Sequence, residues 1–275
     1  MAGDHYIQQK YLRGFSVDGS NDRVAFWHLA NGENVLETGT AVLCAEKDFF
    51  TTYDESGNKN KQIDAYLTST LEPSLGVMLN ILERNKQPTV KQMKEFSKYI
   101  AFKYYMVPHW RELHTSLSKK YLKHLKDRAK PGIWAEELYE TFTKDAQYFT
   151  NMYWRVWKAP KGAAFITSDN PVACASSPDG NPKVMKLDSG LAAKNIRIFF
   201  PLNKKLMLVM WSSKTTGFEY MHANKTWVSD YNNITQQNCN NYLIGPNVRL
   251  VQKFALRDKD DKSMHDAQKI ILSSL

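Results

Sequence analysis

The sequence predicts an α+β fold in which β-rich N- and C-terminal parts form one domain and flank a helical middle. Three observations carry this reading. β-forming runs with turn dipeptides fill residues 1–56, apolar spacings of three and four take over between about 61 and 158, and β signals return over 160–256. The 275 residues, 43% of them hydrophobic, can bury a large core, so residues 1–275 are expected to make a single integrated domain with the helices as an insertion.

Taken in order, Ile7, Tyr11 and Phe15 recur every four residues and predict a short helix over Asp4–Phe15 that closes near Gly14. Arg23–Leu29 reads as a strand. Asn31-Gly32 supplies a tight turn, Asn34–Glu37 returns, and Thr40–Cys44 offers a third strand. After an exposed loop at 57–61, Ile63 to Leu82 gives one apolar helical face, interrupted near Pro73. Met93 to Tyr104 gives a second, Trp110 to Leu125 a third after the break at Pro108, and Trp134–Phe149 a fourth. Strands are expected at Ala163–Thr167, Asn195–Phe200, Leu206–Trp211 and Val248–Phe254, and a short helix at Tyr231–Tyr242. Pro178–Pro182 and Asp188–Gly190 read as turns, and Arg257–Lys262 as a solvated tail.

The longest apolar run, Leu206–Trp211, is far below the roughly 18 residues that cross a bilayer, and the first residues lack the basic and apolar pattern of a secretory signal. Cys44, Cys174 and Cys239 are odd in number and widely spaced, which argues against a disulfide framework or a cysteine zinc site. The expectation is a cytoplasmic protein without a membrane partner. The net charge of +9 is local: from Arg84 to Lys130 thirteen Lys/Arg stand against three acidic residues. Such a concentration fits a nucleic-acid, nucleotide or acidic-protein partner, with Lys119, Lys120 and Lys123 as binding residues, or else a solvated helical face.

Two segments carry residue types suited to chemistry. On the first helix His5, Gln9 and Arg13 would form one polar ridge, where an imidazole, an amide and a permanent cation converge on a phosphate. The second is Phe165–Val172, a strand whose end turns polar at Ser168, Asp169 and Asn170. A carboxylate there suits a general base or a divalent-metal ligand, although an Asx turn is the commoner use of such a residue. A phosphodiesterase- or nuclease-like reading casts His5 as general acid/base, Arg13 as the stabiliser of developing charge and Asp169 as base or metal ligand. Tyr6, Gln9, Ser168 and Asn170 would bind the ligand. The alternative is a binding or interaction module on the same basic surface. Serine-hydrolase, P-loop, zincin and dinucleotide-binding motifs are absent.

The same segments bear a family resemblance. His5-Tyr6-Ile7-Gln8-Gln9-Lys10-Tyr11-Leu12-Arg13-Gly14-Phe15, Phe49-Phe50-Thr51, Trp154, Thr167-Ser168-Asp169-Asn170-Pro171 and Phe200-Pro201-Leu202 occur in an order that resembles the bacterial domain-of-unknown-function family 4238. The likeness spans Asp4 to about Lys253. It implies one α+β domain, a bacterial or phage-related setting such as phage defence, a tryptophan-bearing helix before the central motif, and importance for His5, Tyr6, Arg13, Ser168, Asp169 and Asn170. Gln8 replaces a family proline. Tyr105-Met106-Val107-Pro108 replaces an Arg-Thr-Pro-like step, with Arg111 the nearest substitute.

Overall fold

A computed structural model describes residues 3–32, 34–121, 132–176, 186–187, 191 and 195–255, and of Asn31, 117–121 and 186–187 the backbone alone. In chain order the elements begin with β1 (Asp4–His5), α1 (Gln9–Arg13), β2 (Arg23–His28), β3 (Val35–Gly39), β4 (Ala45–Glu46), β5 (Thr52–Tyr53) and β6 (Lys59–Asn60). The helices α2 (Gln62–Tyr66), α3 (Glu72–Glu83), α4 (Val90–Tyr105), α5 (Pro108–Tyr121) and α6 (Ile133–Thr150) follow. Next come β7 (Tyr153–Lys158), β8 (Thr167–Ser168), β9 (Ala173–Ser176), β10 (Lys186–Leu187), β11 (Ile196–Asn203), β12 (Leu206–Trp211) and β13 (Gly217–His222). The last described elements are α7 (Lys225–Gln237), β14 (Tyr242–Gly245) and α8 (Val248–Ala255). The fold is α+β, with strands at both ends and helices in the middle.

The chain forms two compact units, each discontinuous in sequence: Met1–Gln9 with Ala41–Thr150, and Lys10–Thr40 with Asn151–Leu275. In the first, β1 pairs antiparallel with β4, β5 pairs with β6, and the helices follow. α4 starts at a capping box in which Thr89 and Gln92 satisfy each other's backbone N–H groups. Its buried stripe, Met93, Phe96, Ile100 and Lys103, keeps the helical period but ends in a lysine. Pro108 opens α5, the position where proline's missing N–H costs a helix nothing, while Pro73 follows directly on the π-helical turn Leu67–Leu71 that leads into α3.

The second unit holds two sheets. One has the strand order β10-β9-β11-β12-β7-β13, antiparallel except for the β7–β13 pair, and the other has the order β3-β2-β14-β8. The second sheet joins the two β-rich ends of the chain, because β2 pairs with β14. α7 packs Val228, Tyr231 and Ile234 against Trp157, Phe199, Met207 and Val209. α8 packs Val251 and Phe254 against Ala25, Trp27, Ile166 and Leu243. Tyr11, fully buried, donates its hydroxyl to Pro201 O at 2.5 Å and meets Thr167 Oγ1 at 2.8 Å. Tyr11→Phe would leave both partners buried without that bond, so chemical denaturation should show a loss of about 1–3 kcal/mol. An unchanged midpoint would contradict that assignment.

Several expectations are corrected. The N-terminal helix is only α1, because Asp4 and His5 extend to pair with Glu46 and Ala45. Among the described residues, Gly32 supplies the positive φ of the β2–β3 connection, Asn31 belongs to a 3-10 turn, and Thr40–Val42 is another 3-10 turn. Trp154 lies in β7 and not in a helix: Trp154, Val156 and Trp157 bury between strands, ending the helical stretch at Thr150. Val248–Phe254 is helical. Its buried residues, Val251, Phe254 and Ala255, are three and four apart, which a period of two cannot place on one face. Pro178–Pro182, Asp188–Gly190 and Arg257–Lys262 lie outside the described residues.

Candidate anion-binding site

His5 stands on β1 with its Nε2 3.0 Å from Ala41 O, to which it donates in the Nε2–H tautomer, and 3.3 Å from Gln9 Nε2. The His5–Gln9 part of the expected ridge therefore meets, although a strand and not a helix carries His5. Tyr6 is buried against Phe49, and its carbonyl accepts from the amine of Lys103. Gln8, at the family's proline position, is buried and accepts from the Tyr99 hydroxyl at 3.2 Å. Arg13 belongs to the other unit and is half exposed, with Nε donating to Asp22 Oδ1 at 2.6 Å.

The Ser168-Asp169-Asn170 turn is fully inside its unit. Ser168 Oγ donates to Asn170 O and accepts from Asn170 N, closing a local turn. Asp169 Oδ1 accepts from Asn240 N at 3.0 Å and Oδ2 from Asn241 N at 2.8 Å, while Asn238 Nδ2 donates to Asn170 O at 2.7 Å. Burial pushes the Asp169 carboxyl up to about 6, against the pull of those backbone N–H groups. This arrangement fixes the approach to β14. His5 and Asp169 belong to different units.

The basic run from Arg84 resolves into separate environments. Lys103 is buried, Lys98 pairs with Glu95, and Arg111 pairs with Glu46 while lying 4.7 Å over the Phe49 ring. Lys119 and Lys120 lie on α5, their side chains outside the described structure, and Lys123 lies outside the described residues. Among the described residues no group of three or more His, Cys, Asp or Glu could hold a metal ion, and no helix is long and apolar enough to cross a membrane.

A different set of cations converges within the second unit. An open cleft of about 670 Å³ is lined by Lys204, Lys205, Arg249 and Lys253, with Asp18 as the acidic side chain among them. Each part of it has a local cause. Asn203 Oδ1 accepts from Lys205 N and Leu206 N, which holds Lys204 and Lys205 at the tip between β11 and β12. Asn247 Oδ1 accepts from Leu250 N and so caps α8, whose Arg249 and Lys253, four residues apart, share one helical face. Asn232 donates to Ala164 O and accepts from Ile166 N, fixing the segment that forms the floor. Lys204 is tied to Ser16 O at 2.9 Å and Asp18 Oδ1 at 2.7 Å, and that contact holds the Asp18 carboxyl below its usual range. Lys205 adds a weaker electrostatic pull on Asp18, and among the described residues none of Lys205, Arg249 and Lys253 makes an ion pair.

Helix-start N–H groups and convergent cations are the furniture of an anion site. Sequence reasoning missed this one because its lysines and arginine are scattered over fifty positions and because α8 read as a strand. The signals that point to it are the Asn-Lys-Lys tip between two β runs and the i, i+4 spacing of Arg249 and Lys253. The chain belongs to the family described as protein of unknown function (DUF4238), whose model matches residues 4–247. No curated protein and no solved structure matches it.

Proposed function

We propose that this member of the family is a binding module for a phosphate-bearing ligand, a nucleotide or nucleic-acid backbone, which it holds at the Lys204-Lys205 tip and the start of α8. One observation carries the reading: four cations surround an open cleft in which the acidic side chain, Asp18, is already engaged by Lys204. The surplus positive charge attracts phosphate, and among the described residues lining the cleft there is no histidine to move a proton. Binding without chemistry at this cleft is therefore favoured over the phosphodiesterase- or nuclease-like reading.

The test titrates the protein with inorganic phosphate, ATP and labelled RNA and DNA oligonucleotides at several salt concentrations. The double variant Lys205→Glu/Arg249→Glu should weaken binding at least tenfold, with thermal stability retained. For an oligonucleotide, log affinity should fall with log salt at a slope of about −2 to −3, as expected for three or four phosphate contacts. Salt-independent binding, or loss confined to Lys119→Glu/Lys120→Glu, would overturn the cleft assignment. Cleavage with added divalent metal that His5→Ala or Asp169→Asn abolishes would establish the hydrolytic reading in its place.

A further inference from the structure

A second pair of cations lies on the face of the six-stranded sheet that α7 covers. Register sets Arg155 of β7 opposite Val209 and Glu219, and Arg197 of β11 opposite Trp211, so the two arginines flank β12 on the same face. Arg155 is anchored. Its Nε donates to Glu219 Oε1 at 2.6 Å, and its guanidinium lies 4.9 Å over the Trp211 ring and 5.4 Å over Trp157. Yet among the described residues Arg155 Nη1 is buried without an acceptor, and so is Arg197 Nη1. Among the described residues Arg197 has no carboxylate partner. Burial depresses its proton affinity, and the neighbouring charge of Arg155 depresses it further. Tyr231 of α7, buried beside Trp157 and Phe199, interacts electrostatically with both arginines, and burial keeps its hydroxyl protonated.

This arrangement is costly as it stands. Desolvated guanidinium N–H groups without acceptors are unfavourable, and two neighbouring cations repel when their one carboxylate, Glu219, lies on the far side of Arg155 from Arg197. A bound anion that accepts from both would relieve both penalties. We infer that Arg155 and Arg197 form a binding site for a carboxylate, each donating one Nη1–H to one of its oxygens, with the rings of Trp211 and Tyr153, 4.8 Å apart, as an aromatic wall. Glu219 already cancels one of the two positive charges, so the site is matched to a single negative charge rather than to a doubly charged phosphate. No residue is shared with the phosphate cleft, so the two readings fail separately.

The experiment is thermal unfolding of the full chain in acetate, benzoate or inorganic phosphate against chloride at constant ionic strength. At about ten times its Kd a carboxylate should raise the midpoint by about 2–4 °C, saturably. Benzoate should act at lower concentration than acetate because of the aromatic wall. Arg197→Met should abolish the shift and, having removed the unaccepted cation, should melt no lower than the wild type without ligand. If Arg197→Met does not fold, Arg197→Gln, which keeps the length and a neutral donor, should weaken the apparent affinity at least tenfold. Lys205→Glu/Arg249→Glu should leave the shift intact. A wild type indifferent to carboxylates, an equal shift in Arg197→Met, or a shift with phosphate alone would overturn the assignment.

Discussion

Replacing Lys103 with methionine should stabilise the protein at pH 7 by roughly 2 kcal/mol and remove most of its pH dependence between pH 7 and 10. Lys103 is fully buried on the core stripe of α4, with its amine donating to Tyr6 O at 2.5 Å. Burial pulls its proton affinity from 10.5 down to about 7, against the weaker pull of Glu72 and Cys44. The unfolded chain keeps the proton up to about 10.5, so between these two values the unfolded state binds more protons than the folded one. Stability must then rise with pH, by up to about 1.4 kcal/mol per unit, with the gain complete above the higher value and lost as pH falls through the lower. Methionine fills a similar volume and does not titrate. It also strips the Tyr6 carbonyl of its donor, a loss of about 1–3 kcal/mol, so its advantage should vanish towards pH 10. Urea midpoints from pH 6.5 to 9.5 measure both slopes. A variant less stable at pH 7, with an undiminished slope, would show that Lys103 is not held neutral.

Asp169→Ala should cost about 3–5 kcal/mol, since it leaves the N–H groups of Asn240 and Asn241 without acceptors where water reaches poorly. Asp169→Asn keeps one acceptor and should cost less. The comparison with asparagine carries a pH signature. The folded carboxyl loses its proton near 6 instead of 3.8, so the folded state binds the extra proton in that window. Wild-type stability should therefore fall relative to Asp169→Asn by about 2–3 kcal/mol as pH rises from 4 to above 6. A parallel pH profile would contradict the burial argument. If Asp169→Asn also keeps anion binding while Asp169→Ala unfolds, the motif serves as a turn that positions β14.

Legibility in the sequence followed the range of the forces involved. Local rules carried the order of β, helical and β segments: Pro108 marked a helix start, and the apolar stripe of α4 marked a core face. Pairings between distant segments were not written locally. The spacing of four from His5 to Gln9 and Arg13 predicts a helix, whereas the conformation of His5 is set by Ala45 across a strand pair. The valines and phenylalanine of α8 predict a strand, and only burial against Trp27 and Leu243 chooses the helical period. Basic clusters showed a similar limit. Thirteen cations close in sequence drew attention to the helical middle, while the four lining the cleft come from two elements that the fold assembles.

The pairing of β2 with β14 bears on how the protein is made. β2 ends at His28 and its partner begins at Tyr242, so roughly 200 residues must leave the ribosome before the strand finds its neighbour, about 10–40 s at ordinary elongation rates of 5–20 residues per second. Until then the nascent β2–β3 hairpin offers Trp27 and an unfilled backbone edge to whatever else is nearby. The second unit therefore cannot close before β14 has been made, and its folding has a high contact order. Synonymous codons that slow translation upstream of residue 242 would prolong that exposure, with insoluble protein as the observable consequence.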